Sequence, residues 1–245
     1  MDVKDIILEI KNVKKSFGSF NVISNVSLSV SSGETIVILG KSGTGKSVIL
    51  KCIIGLLEPD EGTIEVFGKN LFDLKPEELK LFRKKLGFLF QSGALYDSMT
   101  VRENLIFPVE RHLEIKDMNF DEKTEEVLTS VGLLDAIDKM PSELSGGMKK
   151  RVGLARTLML EPEIILYDEP TTGLDPATSK EISELIINMQ KKYKVTSLIV
   201  THDIACAKLV ANRIVILNDG VFYKEGTYEE LSASDDDFIK GFFQY

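Results

Sequence analysis

The chain has 245 residues, of which 43% are hydrophobic, and 38 acidic residues against 30 basic ones give a formal net charge of −8. This excess of acidic residues argues against nucleic acid or an anionic lipid surface as the main partner, because both require a basic face. We also expect no signal peptide and no membrane-spanning helix, since no apolar run approaches the ~20 residues that cross a bilayer.

The first third of the chain alternates in the manner of β-strands. Three short segments at 6–17, 25–30 and 62–68 are rich in β-branched residues and bounded by Gly, Ser or Asn. Between them, ETIVILG at 34–40 is a continuous apolar run, which suits a buried parallel strand. It leads into a glycine-rich loop, and the apolar segment at 46–57 that follows predicts a helix.

The rest of the chain predicts mainly helices and then alternating helices and strands. From 73 to 138 the pattern is mostly helical and amphipathic, with Pro76 suited to a first turn. The last third alternates helix and strand, which is typical of βαβ units and a parallel sheet, and Asp219-Gly220 predicts a hairpin turn. Cys52 and Cys206 fall in helical patterns, so we expect small core residues in a reducing compartment rather than a disulfide.

The glycine-rich loop GKSGTGKS matches the phosphate-binding pattern G-x-x-x-x-G-K-[ST], and a buried strand before it and a helix after it supply the required context. Amides from Gly43 to Ser47 would hold the β-phosphate, Lys46 would reach the β- and γ-phosphate oxygens, and Ser47 would hold Mg²⁺. The alternative is a flexible glycine-rich turn. The predicted nucleotide-binding residues of this loop are Gly40, Lys41, Ser42, Gly43, Thr44, Gly45, Lys46 and Ser47.

Two further apolar strands end in polar residues. IILYDEP places Asp168 to bind Mg²⁺ and Glu169 to polarise an attacking water; a solvated acidic turn is the alternative. LIVTHD brings His202 to the end of another strand, where it could hydrogen-bond the γ-phosphate or be a satisfied loop histidine. His112 lies in a polar helical context, and we expect it at the surface.

Two residues carry little information alone. Gln91 follows an apolar strand, and its amide could orient water or metal. Phe17 precedes a turn, where an aromatic ring could stack on adenine, although core packing is the simpler interpretation of a lone phenylalanine.

A second helix start also suits an anion. In LSGGM, Ser145 can cap the helix while Gly146 and Gly147 leave its first amides uncovered, and the helix dipole favours negative charge there. The basic cluster Lys149, Lys150 and Arg151 follows, and we expect it on the solvated face of the helix.

Taken together and in this order, the motifs resemble the nucleotide-binding subunit of an ABC transporter over nearly the whole chain. GKSGTGKS resembles the Walker A motif, IILYDEP the Walker B motif, and LSGGM the signature that separates this family from other P-loop proteins. TGLDP resembles the D-loop and adds Asp175 to the nucleotide-binding residues. By position, His202 is similar to the switch histidine, Gln91 to the Q-loop glutamine and Phe17 to the aromatic A-loop residue. Met148 stands where the family usually has glutamine, so that side-chain contact is not carried over.

The resemblance implies an α/β fold of the P-loop NTPase ABC-ATPase type, with a mainly parallel core sheet, an antiparallel β flank and a helical subdomain. The whole chain, 1–245, would be one domain. Its core with the β flank would cover about 1–90 and 160–230, its helical subdomain about 91–159 and its tail about 232–245. ATP and Mg²⁺ are the implied cofactors. The implied catalytic residues are Glu169, His202 and Gln91, and the implied metal-binding residues are Ser47, Gln91 and Asp168.

The resemblance also implies partners. Two ATPase subunits would pack head to tail as a homodimer, with each ATP between the phosphate loop of one and Ser145, Gly146 and Gly147 of the other. A groove near Gln91 would receive a transmembrane permease, which would put the protein at the cytoplasmic face of the inner membrane.

The segment around Gln91, FLFQSGALYDSMTVRENLIFPVE, is similar to the Mla/Mce type, whose ATPases energise lipid movement between bacterial membranes. That type implies an MCE substrate-binding protein and a small regulatory subunit as further partners. Alternatives are an importer ATPase for a small solute such as an amino acid, an ABC ATPase that acts on nucleic acid, and a structural module without turnover. Acidic composition and the lack of long coiled coils argue against the nucleic-acid role, and Glu169 and His202 argue against the structural one.

The tail SDDDFIKGFFQY predicts a short helix that begins at Ser234 and three aspartates. Phe238, Phe242 and Phe243 would share one face of it, which needs cover. That face could pack on the chain's own core or dock on the partner ATPase or an accessory subunit, and the resemblance favours docking. On that basis, deletion of 237–245 would weaken assembly and leave the monomer's melting temperature nearly unchanged.

Overall fold

A computed structural model describes residues 5–110 and 119–243 of the chain. The strands of this part are β1 (Ile6–Phe17), β2 (Phe20–Ser31), β3 (Thr35–Leu39), β4 (Glu61–Val66), β5 (Lys69–Asn70), β6 (Leu86–Leu89), β7 (Ile164–Asp168), β8 (Thr196–Thr201), β9 (Arg213–Asn218) and β10 (Val221–Gly226). The α-helices of the same part are α1 (Lys46–Ile53), α2 (Pro76–Lys84), α3 (Val101–Glu110), α4 (Phe120–Ser130), α5 (Gly146–Leu158), α6 (Pro176–Tyr193), α7 (Ile204–Val210), α8 (Tyr228–Ser232) and α9 (Asp237–Phe243).

The described strands form one sheet in the order β5-β4-β1-β2-β10-β9-β3-β8-β7-β6. Strands β9, β3, β8, β7 and β6 run parallel to one another. The flank of β5, β4, β1 and β2 is antiparallel, and β10 joins it to the parallel part. The predicted α/β fold with a parallel core and an antiparallel flank is therefore confirmed. The predicted domain boundaries stay a prediction.

Strand β3 shows how the sheet divides the core into two layers. All five of its residues are buried, as its continuous apolar run predicts. Because side chains alternate along a strand, Val37 and Leu39 pack in the layer formed with α3 to α7, whereas Ile36 and Ile38 pack in the layer formed with α1 and the β flank. The strand that leads into the glycine-rich loop is thus fixed from both sides.

One predicted helix end was wrong. The helix expected at 46–57 ends at Ile53, because Gly55 adopts a positive φ of 71° that interrupts the helix. Within the mostly helical segment at 73–138, the apolar strand predicted before Gln91 is the fully buried β6, which hydrogen-bonds to β7. The hairpin turn is confirmed: Asp219 and Gly220 both have positive φ, 46° and 74°, as a type I′ turn requires.

Both cysteines lie in the core, as the sequence predicts, but one lysine that was expected at the surface is buried. Cys52 and Cys206 are free and buried, and burial raises the pKa of each thiol to about 11, so both are unreactive core residues. The expectation of a solvated cluster at 149–151 is wrong for Lys150, which is only 5% exposed. Its spacing from Leu154 and Leu158, four and eight residues on, places it on the buried face of α5.

The tail packs against the chain's own core. Ile239 is buried, and Phe238, Phe242 and Phe243 are half-buried against the helical layer. The helix begins at Asp237 rather than at Ser234, because the carboxylate of Asp236 accepts the amides of Phe238 and Ile239. This packing favours the first of the two alternatives, the chain's own core, and on that basis we expect deletion of 237–245 to lower the monomer's melting temperature.

Replacing Ile239 with Ala is expected to lower the free energy of unfolding by roughly 2–5 kcal/mol, because it removes a fully buried side chain and leaves a cavity. Urea unfolding of the purified chain, followed by circular dichroism, measures the change. Gly241→Ala is the matched control in the same helix, since an added Cβ there meets nothing within 4 Å. Equal midpoints for Ile239→Ala and the native chain would show that α9 does not contribute to the fold.

Candidate active site

The polar residues predicted at strand ends meet at one edge of the parallel sheet. The glycine-rich loop follows β3, Asp168 ends β7, His202 follows β8 and Gln91 lies just beyond β6. These strands are parallel and neighbouring, so their carboxyl ends open on the same crevice. A cavity of about 400 Å³ lies there. Its lining residues are Val22, Ser42, Gly43, Gly45, Lys46, Ser47, Val48, Gln91, Glu169, Thr172 and His202.

The glycines of the loop are required by its backbone. Gly43 and Gly45 have positive φ of 82° and 97°. A Cβ at Gly45 would lie 2.8 Å from Val22 Cγ1, and one at Gly40 would lie 2.8 Å from Thr44 Oγ1. Thr44 in turn donates its hydroxyl hydrogen to the Lys41 carbonyl, at 2.9 Å. The loop thus turns tightly into α1, whose first amides have no partner within the helix and face an incoming anion.

Lys46 is held at the floor of the cavity. Its side chain is 5% exposed, and Nζ donates to the carbonyl oxygens of Gly40 and Lys41 at 2.8 and 3.0 Å. The same nitrogen lies 3.2 Å from Glu169 Oε1. The ammonium is therefore kept in a fixed place, with a carboxylate as its counter-ion.

Ser47 and Asp168 form the oxygen pair expected of a magnesium site. Ser47 Oγ donates to Asp168 Oδ1 at 2.7 Å, which joins the start of α1 to the end of β7. No group of three or more His, Cys, Asp or Glu that could hold a metal occurs within 5–110 and 119–243. Two protein oxygens fit an ion that takes its other ligands from phosphate and water, as Mg²⁺ commonly does.

Glu169 supplies a carboxylate to the lining of the cavity, and its backbone and side chain are both constrained. Its backbone φ is +50°, a conformation that non-glycine residues rarely adopt and that concentrates at functional sites. Oε2 accepts the Thr172 hydroxyl at 2.9 Å and lies 2.8 Å from His202 Nδ1. The hydroxyl of Thr201 also donates to Oε2, at 3.3 Å. The predicted pair Glu169 and His202 is therefore in direct contact, and each side chain is positioned by the other.

The second predicted anion site, at the start of α5, lies outside this cavity. Ser145 Oγ accepts the Met148 amide at 3.2 Å and so caps α5 as predicted. Gly146 is exposed, and a Cβ at Gly147 would lie 2.6 Å from Thr178 Cγ2, so the start of α5 packs against the start of α6. None of Ser145, Gly146 and Gly147 lines the 400 Å³ cavity.

Asp175 belongs to the same second region. Its carboxylate caps α6 by accepting the amides of Ala177 and Thr178 at 3.1 and 3.0 Å. It also accepts the Thr178 hydroxyl at 2.6 Å. These hydrogen bonds lower the pKa of the carboxyl, that with the Thr178 hydroxyl most of all. Asp175 therefore fixes the helix start on which Gly147 rests, and it does not line the cavity.

Phe17 and His112 complete the predicted set. Phe17 is 48% exposed beside the β1–β2 turn, with Lys15 Nζ 5.7 Å from its ring centroid. Core packing was thus the wrong interpretation of this ring, and adenine stacking stays a prediction. His112 lies outside the described residues.

Two residues of the site were not among the predicted site residues. Thr172 donates to Glu169, and the buried Lys150 donates from Nζ to the carbonyl oxygens of Glu169 and Thr172, at 3.3 and 2.6 Å. The helical spacing of Lys150 with Leu154 and Leu158 is the signal that could have placed it inside. Thr172 opens the TGLDP motif, but that pattern does not indicate that its hydroxyl donates to Glu169, because this contact depends on the fold of the loop after β7.

The chain is similar to known proteins of one family. Residues 23–172 match the family model described as ABC transporter. The chain is 41% identical over 237 residues to the probable ribonucleotide transport ATP-binding protein mkl of Mycobacterium leprae, covering 97% of this chain and 68% of that protein. It is 37% identical over 254 residues to the Arabidopsis thaliana protein named trigalactosyldiacylglycerol 3, chloroplastic, covering 97% and 73%.

A further relative and a solved structure extend the comparison. The methionine import ATP-binding protein MetN of Clostridium tetani is 41% identical over 213 residues, covering 86% of this chain and 66% of that protein. The dimeric structure of the ATP-binding cassette MJ0796 in a post-hydrolysis state with ADP and Pi has a TM-score of 0.82 at 33% identity. It covers 91% of this chain and 99% of that one. This chain belongs to the ABC transporter family and carries its ATP-hydrolysing domain.

Proposed function

We propose that this protein is the ATP-hydrolysing subunit of a membrane transporter and that it works as a head-to-tail homodimer. The observation that supports this most is the single cavity in which Lys46, Ser47, Gln91, Glu169 and His202 meet. A phosphate loop alone would support many functions. A phosphate loop that shares its cavity with a carboxylate, a histidine and a glutamine supports phosphoryl transfer to water.

The residues divide into those that bind and those that act on water. Lys46 pairs with the β- and γ-phosphates, and the first amides of α1 hold the β-phosphate. Ser47, Asp168 and Gln91 would hold Mg²⁺, which would neutralise charge on the phosphate oxygens. Glu169 polarises the attacking water, and His202 hydrogen-bonds the γ-phosphate while it orients the Glu169 carboxylate. Because Lys46 contacts Glu169 here, we expect phosphate to compete for the ammonium and to release the carboxylate for water.

The shared site explains why one chain has two anion-binding helix starts. Ser145, Gly146 and Gly147 bind the γ-phosphate held by the partner's loop, while Gly40 to Ser47 hold the chain's own nucleotide. Their absence from the lining of the cavity supports an action across a dimer. The dimeric state of the MJ0796 structure with ADP and Pi supports it as well. ATP thus joins two subunits, and hydrolysis separates them.

Replacing Ser145 with Arg is expected to abolish turnover while ATP binding to the monomer stays intact. The side chain is exposed and outside the chain's own cavity, so a bulky cation there blocks the partner's phosphate only. Phosphate release measures turnover, and a fluorescent ATP analogue measures binding at concentrations below dimer formation. Ser142→Arg places the same side chain on an exposed neighbour and controls for charge. Equal loss of monomer affinity in Ser145→Arg would contradict the shared site.

We propose a permease as the membrane partner, docked in the groove near Gln91, and the cytoplasmic face of the cell membrane as the location. Among the described residues, none of the helices combines the length and the hydropathy of a membrane span. The exposed aromatic residues Phe90 and Tyr96 flank Gln91 and offer apolar surface for docking.

Phospholipid is the proposed cargo, as in the Mla/Mce type, with an MCE protein and a small regulatory subunit as further partners. The similarity of the segment around Gln91 supports it, as does the relative named after a glycolipid, whose match covers 97% of this chain. Import of a small solute such as an amino acid is the second candidate, favoured by 41% identity to a methionine import ATP-binding protein. The acidic net charge argues against a nucleic-acid partner.

Affinity purification of the tagged chain from its own membranes tests the function. We expect a membrane-spanning permease and phospholipid in mass spectra of the purified complex, and ATP turnover that depends on Glu169. Co-purification with a free-amino-acid-binding protein would favour the importer. Turnover without any membrane protein, together with bound nucleic acid, would contradict a transport role.

A further inference from the structure

Lys150 is a buried cation that the mechanism above does not use. Its side chain is 5% exposed, and it lies on α5 one turn after the exposed start of that helix at Ser145 and Gly146. Burial lowers its pKa to about 8, and the nearby Glu169 carboxylate acts in the opposite direction. An amine in such a place needs hydrogen-bond partners, because a buried charge without them is strongly unfavourable.

Lys150 hydrogen-bonds to both ends of the loop between Glu169 and Thr172, which positions the Glu169 carboxylate. Nζ donates to the carbonyl oxygens of Glu169 and Thr172, at 3.3 and 2.6 Å. The loop is closed further by the Thr172 amide, which donates to the Glu169 carbonyl at 3.3 Å. Because Glu169 has a φ of +50°, this backbone must be held by its surroundings. Lys150 supplies two of the hydrogen bonds that do so.

Space filling alone does not account for this lysine. A leucine or methionine would fill the same volume without the cost of a buried amine. Its neighbour Arg151 reaches other groups, the Val131 carbonyl and the Glu181 carboxylate. Within the cluster at 149–151, it is Lys150 that hydrogen-bonds to the loop between Glu169 and Thr172.

We propose that Lys150 is a positioning residue that ties the start of α5 to the Glu169 loop of the same chain. The inference rests on the proposed shared-site dimer and deepens it. In that dimer the start of α5 serves the partner's ATP, while Glu169 serves the chain's own. The Lys150 ammonium thus connects the start of α5, which binds the partner's ATP, to Glu169, which acts in the hydrolysis of the chain's own ATP.

Two full-length chains joined by a flexible linker test the inference. One chain carries Glu169→Gln, so that turnover comes only from the Glu169 of the other. Lys150→Met is then placed either in the chain with the active Glu169 or in the chain with Glu169→Gln. Both arrangements contain the same substitutions, so a loss of folding would affect them equally. Single-turnover ATP hydrolysis gives the rate, and a fluorescent analogue gives the affinity for ATP.

We expect Lys150→Met to lower the single-turnover rate roughly 10- to 100-fold, the loss typical of a misplaced catalytic group, only when it shares a chain with the active Glu169. ATP affinity should stay unchanged, and Lys150→Arg should restore part of the rate because it keeps the donors. Equal losses in the two arrangements, or no loss in either, would overturn the inference. No turnover in the linked pair with both lysines intact would instead overturn the shared-site function, and the inference with it.

Discussion

Glu169→Gln is expected to keep ATP binding, lower turnover roughly 10²- to 10⁴-fold, the range that general-base catalysis contributes, and trap an ATP-bound dimer. The amide keeps the size of the side chain but loses the negative charge that polarises water. It also removes the counter-ion that lies 3.2 Å from Lys46 Nζ, which leaves the ammonium free for phosphate. Binding is therefore retained while the step that separates the subunits is lost.

Size-exclusion chromatography with multi-angle light scattering measures the trapped dimer in ATP and Mg²⁺. Glu163→Gln is the matched control, because Glu163 lies at the surface before β7 and its side chain is 48% exposed beside Lys85. The control should stay active and dimerise only transiently. A Glu169→Gln protein that is monomeric with its permease and without it would contradict the account.

Lys46→Ala is expected to lower ATP turnover roughly 100-fold or more, the loss typical when one charge-stabilising donor is removed, and to weaken nucleotide binding. The ammonium is held by two carbonyl oxygens within the loop itself, and the substitution removes this positioned cation. The substitution also leaves the Glu169 carboxylate without its cation, inside a half-enclosed cavity.

Isothermal titration with a non-hydrolysable ATP analogue measures the binding, and phosphate release measures the turnover. Lys51→Ala controls for the loss of a lysine from α1, since Lys51 lies in the last turn of that helix and does not line the cavity. If Lys46→Ala binds and hydrolyses ATP as the native chain does, the glycine-rich loop is not the nucleotide site.

Much of the fold could be predicted because local pattern and tertiary position agree. The apolar run at 34–40 forms β3, because a strand buried on both faces accepts few polar residues. Asp219-Gly220 forms the tight hairpin turn, because few residue types adopt a positive φ. The end of α1 was misjudged, since apolar residues continue past Ile53 while the backbone turns at Gly55. The spacing of apolar residues reflects which side chains are buried, and side chains can remain buried after a helix has ended.

The site was predictable where a motif carries its chemistry, as at Lys46, Ser47, Asp168 and Glu169. Lys150 was wrongly expected at the surface, because its charge favours contact with solvent. In the fold, two carbonyl oxygens accept hydrogen bonds from its ammonium instead. Thr172 was missed for a similar reason, as its hydroxyl matters only once the loop folds back on Glu169. The tail could not be assigned to core packing or to docking, because the surface that covers Ile239 belongs to distant parts of the same chain.

The central claim is that each ATP is shared between two chains, and complementation tests it most directly. Lys46→Ala and Ser145→Arg chains are each inactive alone, and their mixed dimer places both lesions at one ATP site and leaves the other site intact. The account predicts that an equimolar mixture recovers about a quarter of native turnover, because half of randomly paired symmetric dimers are mixed and each has one working site. A mixture that stays inactive, although differently tagged chains co-purify as dimers, would show that each chain hydrolyses ATP without the other's signature helix.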